Sequence, residues 1–405
     1  MKPTPDNPQS APKNYIFFLI MIACLGAFAS FINDMYLPTV PAIMREFHTT
    51  PAVTQLGLTM AMIGMACGAG LWGSLSDKYG RKPVLLASLI VFSLGTAVSL
   101  FSDNITFFVA CRFFMGFGGG GAVVLSRSIP TDIYSGRNLA VIMALVGAIN
   151  GIAPAAGPLL GGFLAKAVGW RGIFVVLLAI GIVMIFAGTK MKESLPPARR
   201  DHGKGLKQYI MAYKALLRNR RYMIYVLVKG SSIGLLYGYI SSAPFIIQDH
   251  FHYSALVFGA IIGANAVAIA IGSMLAVRFK ILKQAMVVGI IGMFVFAVAD
   301  AVVFFTTPTL LLYELFSVPM LLFSGMIYTG ANTLAMEEGS SDAGTASAIL
   351  SIVKYAFAGI AAPLVGLGII FHSTAWVFIA YASITLFLGY FAYRLKPRAD
   401  MIKQG

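Results

Sequence analysis

The sequence predicts an all-α integral membrane protein with twelve membrane-spanning helices in two pseudo-symmetric six-helix bundles. Its 405 residues are 58% hydrophobic and only 11% charged, with a mean hydropathy of +0.82, whereas soluble globular chains carry about 25% charged residues. Apolar runs of about 20 residues, the length that crosses a bilayer, recur along the chain. The basic residues fall mainly in alternate loops. Together these observations exclude a soluble domain.

The apolar runs define the twelve predicted spans. The first run contains Ala27-Phe28-Ala29, which resembles a signal-peptidase site, but the apolar pattern continues beyond Ile32 and predicts an uncleaved span. An even number of spans puts both termini on one side of the membrane. The predicted spans cover 15–40, 52–75, 82–102, 105–128, 138–165, 169–189, 221–247, 254–277, 284–306, 309–335, 343–370 and 374–394.

The distribution of positive charge predicts the orientation. The net charge is +15, and the loops opposite the termini contain only Arg45, Lys166 and Arg171 as basic residues. Because cytoplasmic loops are enriched in Lys and Arg, both termini are expected to be cytoplasmic. This placement indicates a lipid bilayer, and no nucleic acid, as the partner of the charges. The predicted domains are a cytoplasmic tail 1–14, a bundle 15–190, a cytoplasmic linker 191–220, a bundle 221–394 and a tail 395–405.

An internal repeat supports the division into halves. Gly136-x-x-x-Ala140 in span five recurs as Gly344-x-x-x-Ala348 in span eleven. Gly272-Ser273-Met274-Leu275, followed by basic residues, is interpreted as a copy of Gly73-Ser74-Leu75. Repeated six-helix halves predict a substrate site between them near the bilayer midplane.

Two ionisable residues inside the spans are candidates for proton coupling. Asp34 lies late in span one and Arg112 early in span four, so both are expected in the outer third of the bilayer, where they could meet. Each charge costs about 2.5 to 3.5 kcal/mol on insertion scales, which makes it a functional candidate. Two interpretations stay open: a structural salt bridge, or uptake and release of a proton by Asp34 under the control of Arg112.

Four further ionisable residues lie in the second half. Lys229 and Lys354 could bind an anionic substrate, alternate with Asp34 as proton sites, or neutralise a carboxylate. Asp300 and Glu314 lie near the outer ends of spans nine and ten. Each is interpreted either as a solvated rim charge or as a group facing a cavity.

Several motifs carry a resemblance to a known family. Gly73-x-Leu75-x-Asp77-x-x-Gly80-Arg81-Lys82 resembles the signature loop between helices two and three of the major facilitator superfamily. The resemblance implies the major facilitator fold. It also implies that this loop closes the cytoplasmic mouth, with Asp77 facing the N-terminal end of span eleven and pairing with Arg127. The implied gating residues are Gly73, Asp77, Gly80, Arg81 and Arg127.

Three more motifs resemble those of twelve-span drug:proton antiporters. Asn33-Asp34-Met35-Tyr36-Leu37-Pro38-x-x-Pro41 is similar to the first-span motif of the Bcr/CflA-type group, the bicyclomycin, chloramphenicol and florfenicol exporters. Arg112-x-x-x-Gly116 resembles the proton-transfer motif, with Met115 at the usual glutamine. A helix-packing motif in span five resembles that of drug exporters and contains Pro154, Gly157, Pro158, Gly161 and Gly162.

The resemblance implies a monomeric proton-coupled exporter of amphipathic drugs, phenicol- or bicyclomycin-like, in the bacterial inner membrane, working by alternating access without cofactor or metal. The alternative is an exporter of an endogenous metabolite or siderophore, in which a lysine recognises a carboxylate. A membrane enzyme is disfavoured because the five histidines all lie in or near loops. The candidate substrate-binding residues are Tyr36, Lys229, Tyr237, Tyr239, Lys354 and Tyr355.

Overall fold

The computed structural model describes residues 15–134, 136–197, 200, 206–306, 308–340 and 343–395. The predicted N-terminal tail, most of the C-terminal tail and part of the predicted linker lie outside the described residues.

The described residues are organised as thirteen α-helices. A 3-10 turn, Leu37–Thr39, joins α1 to α2, and a π-helical turn, Phe245–His250, extends α8. The helices are α1 (Tyr15–Asn33), α2 (Val40–Glu46), α3 (Pro51–Tyr79), α4 (Arg81–Ser99), α5 (Ile105–Ile133), α6 (Gly136–Lys190), α7 (Leu206–Arg218), α8 (Arg220–Pro244), α9 (Ala255–Val277), α10 (Leu282–Phe305), α11 (Leu310–Glu338), α12 (Ala343–Leu364) and α13 (Ile370–Arg394).

The predicted membrane-spanning architecture is confirmed. Among the described residues, 11 helices are long and apolar enough to cross a membrane. One of them belongs to α6, whose 55 residues contain a non-helical backbone at Gly169, with φ 68° and ψ −176°. At 1.5 Å per residue this helix would extend about 80 Å, far beyond a hydrocarbon core of about 30 Å. The break therefore divides α6 into the predicted spans five and six.

Polar side chains mark where several of the helices begin. Each accepts a hydrogen bond from a backbone N–H two or three residues later, which satisfies a donor that the first turn leaves unpaired. They are Thr50 before α3, Asn104 before α5, Asn219 before α8 and Thr309 before α11. These caps end the short loops and fix the point at which each apolar run becomes helical.

Contacts divide the chain into two compact units. The first unit contains residues 1–203 together with 253–263, and the second contains 204–252 together with 264–405. The first unit therefore holds α1 to α6 and the beginning of α9, and the second holds the remaining helices.

Glycines bring α3 and α5 into backbone contact in the first unit. A methyl group added at Gly116 would overlap the carbonyl oxygen of Ala61, and one added at Gly68 would overlap that of Phe117. A Cβ at Gly120 would lie 2.5 Å from the Met65 carbonyl oxygen. Small residues at such positions let membrane helices approach closely, because packing and not the hydrophobic effect drives their association. The glycines of α5 therefore form the surface against which α3 packs.

The second unit repeats this helix contact. Gly272 on α9 lies against the Leu322 carbonyl oxygen of α11, and Gly325 on α11 lies against that of Ile269. Gly272 follows Gly68 by 204 residues, and Gly325 follows Gly120 by 205. The internal repeat is thus visible as the same pair of backbone contacts at nearly the same spacing.

The helix contact of Gly272 corrects the interpretation of this residue as a copy of Gly73. Gly272 corresponds to Gly68, which makes the same carbonyl contact, and not to Gly73. A Cβ on Gly73 would meet only the Val124 side chain, at 3.4 Å. A Gly-Ser pair followed by basic residues occurs in both halves, but α9 ends two turns earlier than α3 relative to the helix contact. The sequence comparison therefore matched Gly272 to a residue of α3 that lies about one helical turn beyond the corresponding one, Gly68.

A glycine substitution tests the helix contact. We expect Gly116→Ala to lower the thermal unfolding temperature in detergent, because the new methyl group overlaps the Ala61 carbonyl oxygen and overpacking costs typically about 1–3 kcal/mol. Gly70→Ala in the neighbouring helix is the control, since nothing lies within 4 Å of its added Cβ. Equal unfolding temperatures for the two variants would contradict the close contact.

Candidate functional site

Arg112 is fully buried in the first unit, with 0% of its surface exposed. Its Nε donates a hydrogen bond to the Gly57 carbonyl oxygen at 3.3 Å, and its Cζ lies 4.4 Å from the centre of the Tyr36 ring. Nη1 and Nη2 have no hydrogen-bond partner among the described residues. Desolvated charge without a partner is unfavourable. The guanidinium is therefore held by one carbonyl and an aromatic face, with its two outer nitrogens available to an anion.

Asp34 lies in the turn that follows α1. Its backbone N–H donates to the Ser30 carbonyl oxygen at 2.7 Å, and its side chain is half-buried. The Arg112 guanidinium donates no hydrogen bond to Asp34 in this conformation, because its Nε bonds the Gly57 carbonyl oxygen and its Nη1 and Nη2 have no hydrogen-bond partner among the described residues. Tyr36, two residues after Asp34 in the sequence, does contact Arg112. The guanidinium lies over the face of the Tyr36 ring.

The span-five motif packs against this turn. A Cβ added to Gly157 would lie 2.8 Å from the Asp34 Cβ, and Gly161 lies directly against the Met35 carbonyl oxygen. On its other side, Gly162 meets the Ala255 carbonyl oxygen at the beginning of α9, and Gly259 meets that of Pro158. Pro154 lies half-buried one turn earlier. The glycines of the motif therefore allow α6 to touch both the Asp34 turn and α9 within the first unit.

Tyr36 has a packing role in this conformation, which corrects its assignment as a substrate-facing residue. It is 0% exposed, and its hydroxyl donates to the Thr54 carbonyl oxygen at 3.2 Å. The rings of Phe108 and Phe174 lie at centroid distances of 6.2 and 6.4 Å. With Arg112 on its face, the ring has no surface left for a ligand.

The signature loop forms a charge cluster around a buried arginine. Gly80 has a φ of 104°, a conformation that favours glycine, and lies between the end of α3 and the start of α4. Arg81 follows it and is only 7% exposed. The guanidinium contacts Asp77 at 2.6 Å and Asp132 at 2.7 Å, and it donates to the Ser76 hydroxyl at 2.7 Å. Asp77 is thus bonded to Arg81, and the ion pair between Asp77 and Arg127 that the resemblance implies is not formed among the described residues in this conformation.

Sequence reasoning missed two acidic members of this charge cluster. Asp132, near the end of α5, bonds Arg81 and also accepts from the Ser194 hydroxyl at 3.2 Å. Glu193 accepts from the backbone N–H groups of Arg81 and Lys82, at 2.8 and 3.2 Å, where the positive end of the α4 dipole favours an anion. Asp132 lies about fifty residues, and Glu193 over a hundred, beyond the loop in sequence, so spacing gave no signal for either.

The remaining candidates lie in the second unit. The Lys229 Nζ donates to the Asn332 Oδ1 at 2.7 Å. Lys354 is half-buried, with its Nζ 4.9 Å from the centre of the Tyr355 ring. Tyr237 is half-buried, whereas Tyr239 is 1% exposed and therefore closed to a ligand in this conformation.

A buried polar cluster, also in the second unit, involves Asp300 and Glu314. Asp300 is 0% exposed, which excludes its interpretation as a solvated rim charge. The Tyr239 hydroxyl and the Asn265 amide both donate to Glu314, at 3.3 and 2.6 Å. Sequence reasoning missed Asn265, although an asparagine within an apolar helix is the kind of signal that marks a polar contact.

The fold and these buried charges define a class of protein. Repeated helical units, each with ionisable groups buried inside membrane-crossing helices, are the architecture of a membrane transporter. The profile of the Major Facilitator Superfamily matches residues 22–363. The chain therefore belongs to the Major Facilitator Superfamily, a family of transporters and not of enzymes.

Curated relatives agree with this family. An uncharacterised MFS-type transporter, YdgK of Bacillus subtilis, is 32% identical over 397 residues, covering 96% of each chain. The bicyclomycin resistance protein homolog of Haemophilus influenzae is 28% identical and covers 87% of this chain and 89% of its own. A chloramphenicol resistance protein of Pseudomonas aeruginosa is 30% identical over 62% of this chain and 59% of its own. These names support the drug-exporter group that the motifs indicate.

Solved structures share the fold. A bacterial homolog of the human lysosomal transporter Spinster, in an inward-facing conformation, has a TM-score of 0.72 at 15% identity, covering 96% of this chain and 95% of its own. The xylose transporter XylE of E. coli has a TM-score of 0.69 at 16% identity, covering 94% and 98%. At these identities the likeness concerns the fold alone.

A conservative substitution tests the charge cluster of the signature loop. We expect Arg81→Lys to lower both the unfolding temperature and the transport rate, because an ammonium keeps the charge but cannot reach Asp77 and Asp132 with the fork of a guanidinium. The loss should correspond to about 1–3 kcal/mol. Lys78→Gln is the control, since Lys78 is half-exposed and its only described contact is with Tyr79. If Arg81→Lys matched the wild type in both measurements, the cluster would have no structural role.

Proposed function

We propose that this protein exports amphipathic drugs in exchange for protons, by alternating access, in a bacterial inner membrane with both termini cytoplasmic. Asp34 is the group that carries the proton, and Arg112 controls its charge. The observation that carries the proposal is the buried Arg112 guanidinium, whose Nη1 and Nη2 have no described partner. The names of two relatives, resistance proteins for bicyclomycin and chloramphenicol, support a drug as the substrate.

The energetics of Arg112 favour a role in switching. Leaving one member of a buried ion pair alone typically costs about 3–5 kcal/mol. A free-energy difference of a few kcal/mol is also what separates the conformations of a two-state protein. A conformation in which the Asp34 carboxylate accepts hydrogen bonds from Nη1 or Nη2 therefore gains contacts that these two nitrogens lack in the present conformation, and the charge on Asp34 biases the equilibrium between the two conformations.

The proposed cycle follows from this bias. When Asp34 is away from Arg112, the aspartate accepts a proton from water on the outer side. When the helices shift so that Asp34 approaches the guanidinium, the charged form of the carboxyl is favoured and the proton leaves to the cytoplasm. The Gly157 contact ties the Asp34 turn to α6, and through α6 to the beginning of α9. Movement of these helices and the charge of Asp34 are therefore linked.

Removal of the Asp34 charge tests the proposal. We expect Asp34→Asn to abolish drug transport driven by a pH gradient in everted membrane vesicles, with at least a tenfold loss of rate, because the amide cannot bind or release the proton. The protein should remain folded, since Asn occupies the same volume beside Gly157.

Two outcomes separate coupling from structure. Glu338→Gln is a matched control that removes one carboxylate from a half-buried ion pair with Arg221, 3.4 Å away, and it should transport normally. Drug-stimulated proton release that is unchanged in Asp34→Asn would refute the assignment of the coupling group.

Lys354 tests whether the substrate is a drug or an anionic metabolite. Its half-buried ammonium lies beside Tyr355 on α12 and could bind a substrate carboxylate. For a drug exporter, we expect Lys354→Gln to widen the range of exported compounds toward cations, with resistance to neutral drugs within twofold of the wild type. The measurement is growth of an efflux-deficient host on a compound panel. A spectrum identical to the wild type would show that Lys354 is structural, and loss of anion export alone would favour the metabolite exporter.

A further inference from the structure

The buried Asp300 carboxyl in the second unit has an incomplete set of hydrogen bonds. Its Oδ2 accepts from the Ser317 hydroxyl at 2.6 Å, while its Oδ1 has no hydrogen-bond partner among the described residues. The side chain is 0% exposed. Because a buried carboxylate oxygen without a donor is unfavourable, this position calls for a bound cation.

Glu314 lies one turn before Ser317 on α11. Its Oε1 accepts from the Tyr239 hydroxyl at 3.3 Å, and its Oε2 accepts from the Asn265 Nδ2 at 2.6 Å. Nδ2 also donates to the Tyr239 oxygen at 2.5 Å. Glu314 retains exposed surface, whereas Tyr239 and Asn265 are buried. Glu314 is therefore the accessible member and Asp300 the closed member of one polar cluster.

The groups that surround these carboxyls are neutral. The groups that hydrogen-bond the carboxyls are Tyr239 from α8, Asn265 from α9 and Ser317 from α11. The Tyr313 ring lies beside that of Tyr239, and Phe378 of α13 packs on Phe304, one turn after Asp300 on α10. No lysine or arginine of the described chain contacts either carboxyl. Lys229 on α8 is ten residues from Tyr239, about 15 Å along the helix, and it bonds Asn332. The described residues therefore supply no counter-charge to either carboxyl.

We propose that Asp300 and Glu314 form a second proton-binding site, which rests on the proposed proton coupling but uses carboxyls of the unit that does not contain Asp34. Burial selects the cation, because only a proton reaches a side chain with no exposed surface without displacing its neighbours. In the binding step a carboxylate oxygen takes a proton from hydronium, which becomes water, and the carboxyl becomes neutral. Release returns the proton to water and restores the negative charge.

The internal repeat supports this assignment. Ser317 is the eighth residue of α11, and Arg112 is the eighth residue of α5, a helix of the same 29-residue length. The Gly120 and Gly325 contacts confirm the same register in the two units. Where the first unit has a fixed positive charge, the second has a hydroxyl that donates to Asp300. The second unit therefore has no arginine at the position that corresponds to Arg112. A bound proton neutralises its carboxyls instead.

An infrared titration tests the site without any substrate. The purified full-length protein is titrated in detergent while the carbonyl band of protonated carboxyl groups is recorded. We expect Asp300→Asn and Glu314→Gln each to change this band. Together the two carboxyls should account for one protonated carboxyl group per molecule of the wild type. Glu338→Gln is the control and should keep the wild-type band, because this residue pairs with Arg221. Thermal unfolding checks that each variant is folded.

A second variant covers the case in which Asp300→Asn fails to fold. Ser317→Ala removes the hydrogen bond to Asp300 but leaves the carboxyl, so the protonated band should shift in frequency. A wild-type band in Glu314→Gln and Ser317→Ala would overturn the proposal. Loss of tetraphenylphosphonium binding in Glu314→Gln with an unchanged titration would also overturn it, since the cluster would then bind an organic cation.

The titration separates this proposal from the proposed function. Asp34→Asn should keep the Asp300 and Glu314 signal, because Asp34 belongs to the other unit. If Asp34→Asn still exchanged drug for protons, the assignment of Asp34 would fail while the second site could still titrate. If the titration failed while Asp34→Asn blocked exchange, only the second site would be lost.

Discussion

The exclusion of water from buried charge is the constraint on which the account depends. Arg112 lies in the first unit with no exposed surface, one carbonyl contact and an aromatic face. In the second unit Asp300 is equally closed and has an unpartnered oxygen. In contrast, the Arg81 guanidinium at the start of α4 is paired with two carboxylates. The chain thus pairs Arg81 in its loop and leaves Arg112 and Asp300, inside the helices, without a full set of partners. Charges with an incomplete set of partners respond to protons.

Close helix contacts allow these charges to be placed accurately. Gly68 and Gly120 let α3 and α5 touch through their backbones, and Gly272 and Gly325 do the same for α9 and α11. Contacts of this kind fix the register of a helix, because a shift of one residue would place a side chain against a carbonyl group. The position of Arg112 on α5, and of Ser317 on α11, follows from that register.

Much of the fold could be predicted from the sequence, because apolar length and loop charge are local properties. The twelve spans and the repeat were found in this way, although the repeat alignment placed Gly272 opposite Gly73 and not Gly68. Side-chain direction could not be predicted, since these helices are apolar on all faces and their periodicity does not distinguish core from surface. Tyr36 and Tyr239 were therefore assigned to a substrate and are buried. Asp132 and Glu193 were missed because they reach Arg81 only through the fold.

The most direct test of the central claim is a double-mutant cycle between Asp34 and Arg112. Drug dissociation constants are measured for the wild type, Asp34→Asn, Arg112→Gln and the double variant at a fixed pH. If the two side chains act as a pair, the effects are not additive, with a coupling free energy of at least about 1 kcal/mol. Additivity within about 0.5 kcal/mol would contradict the account, because residues that act independently show no more than this.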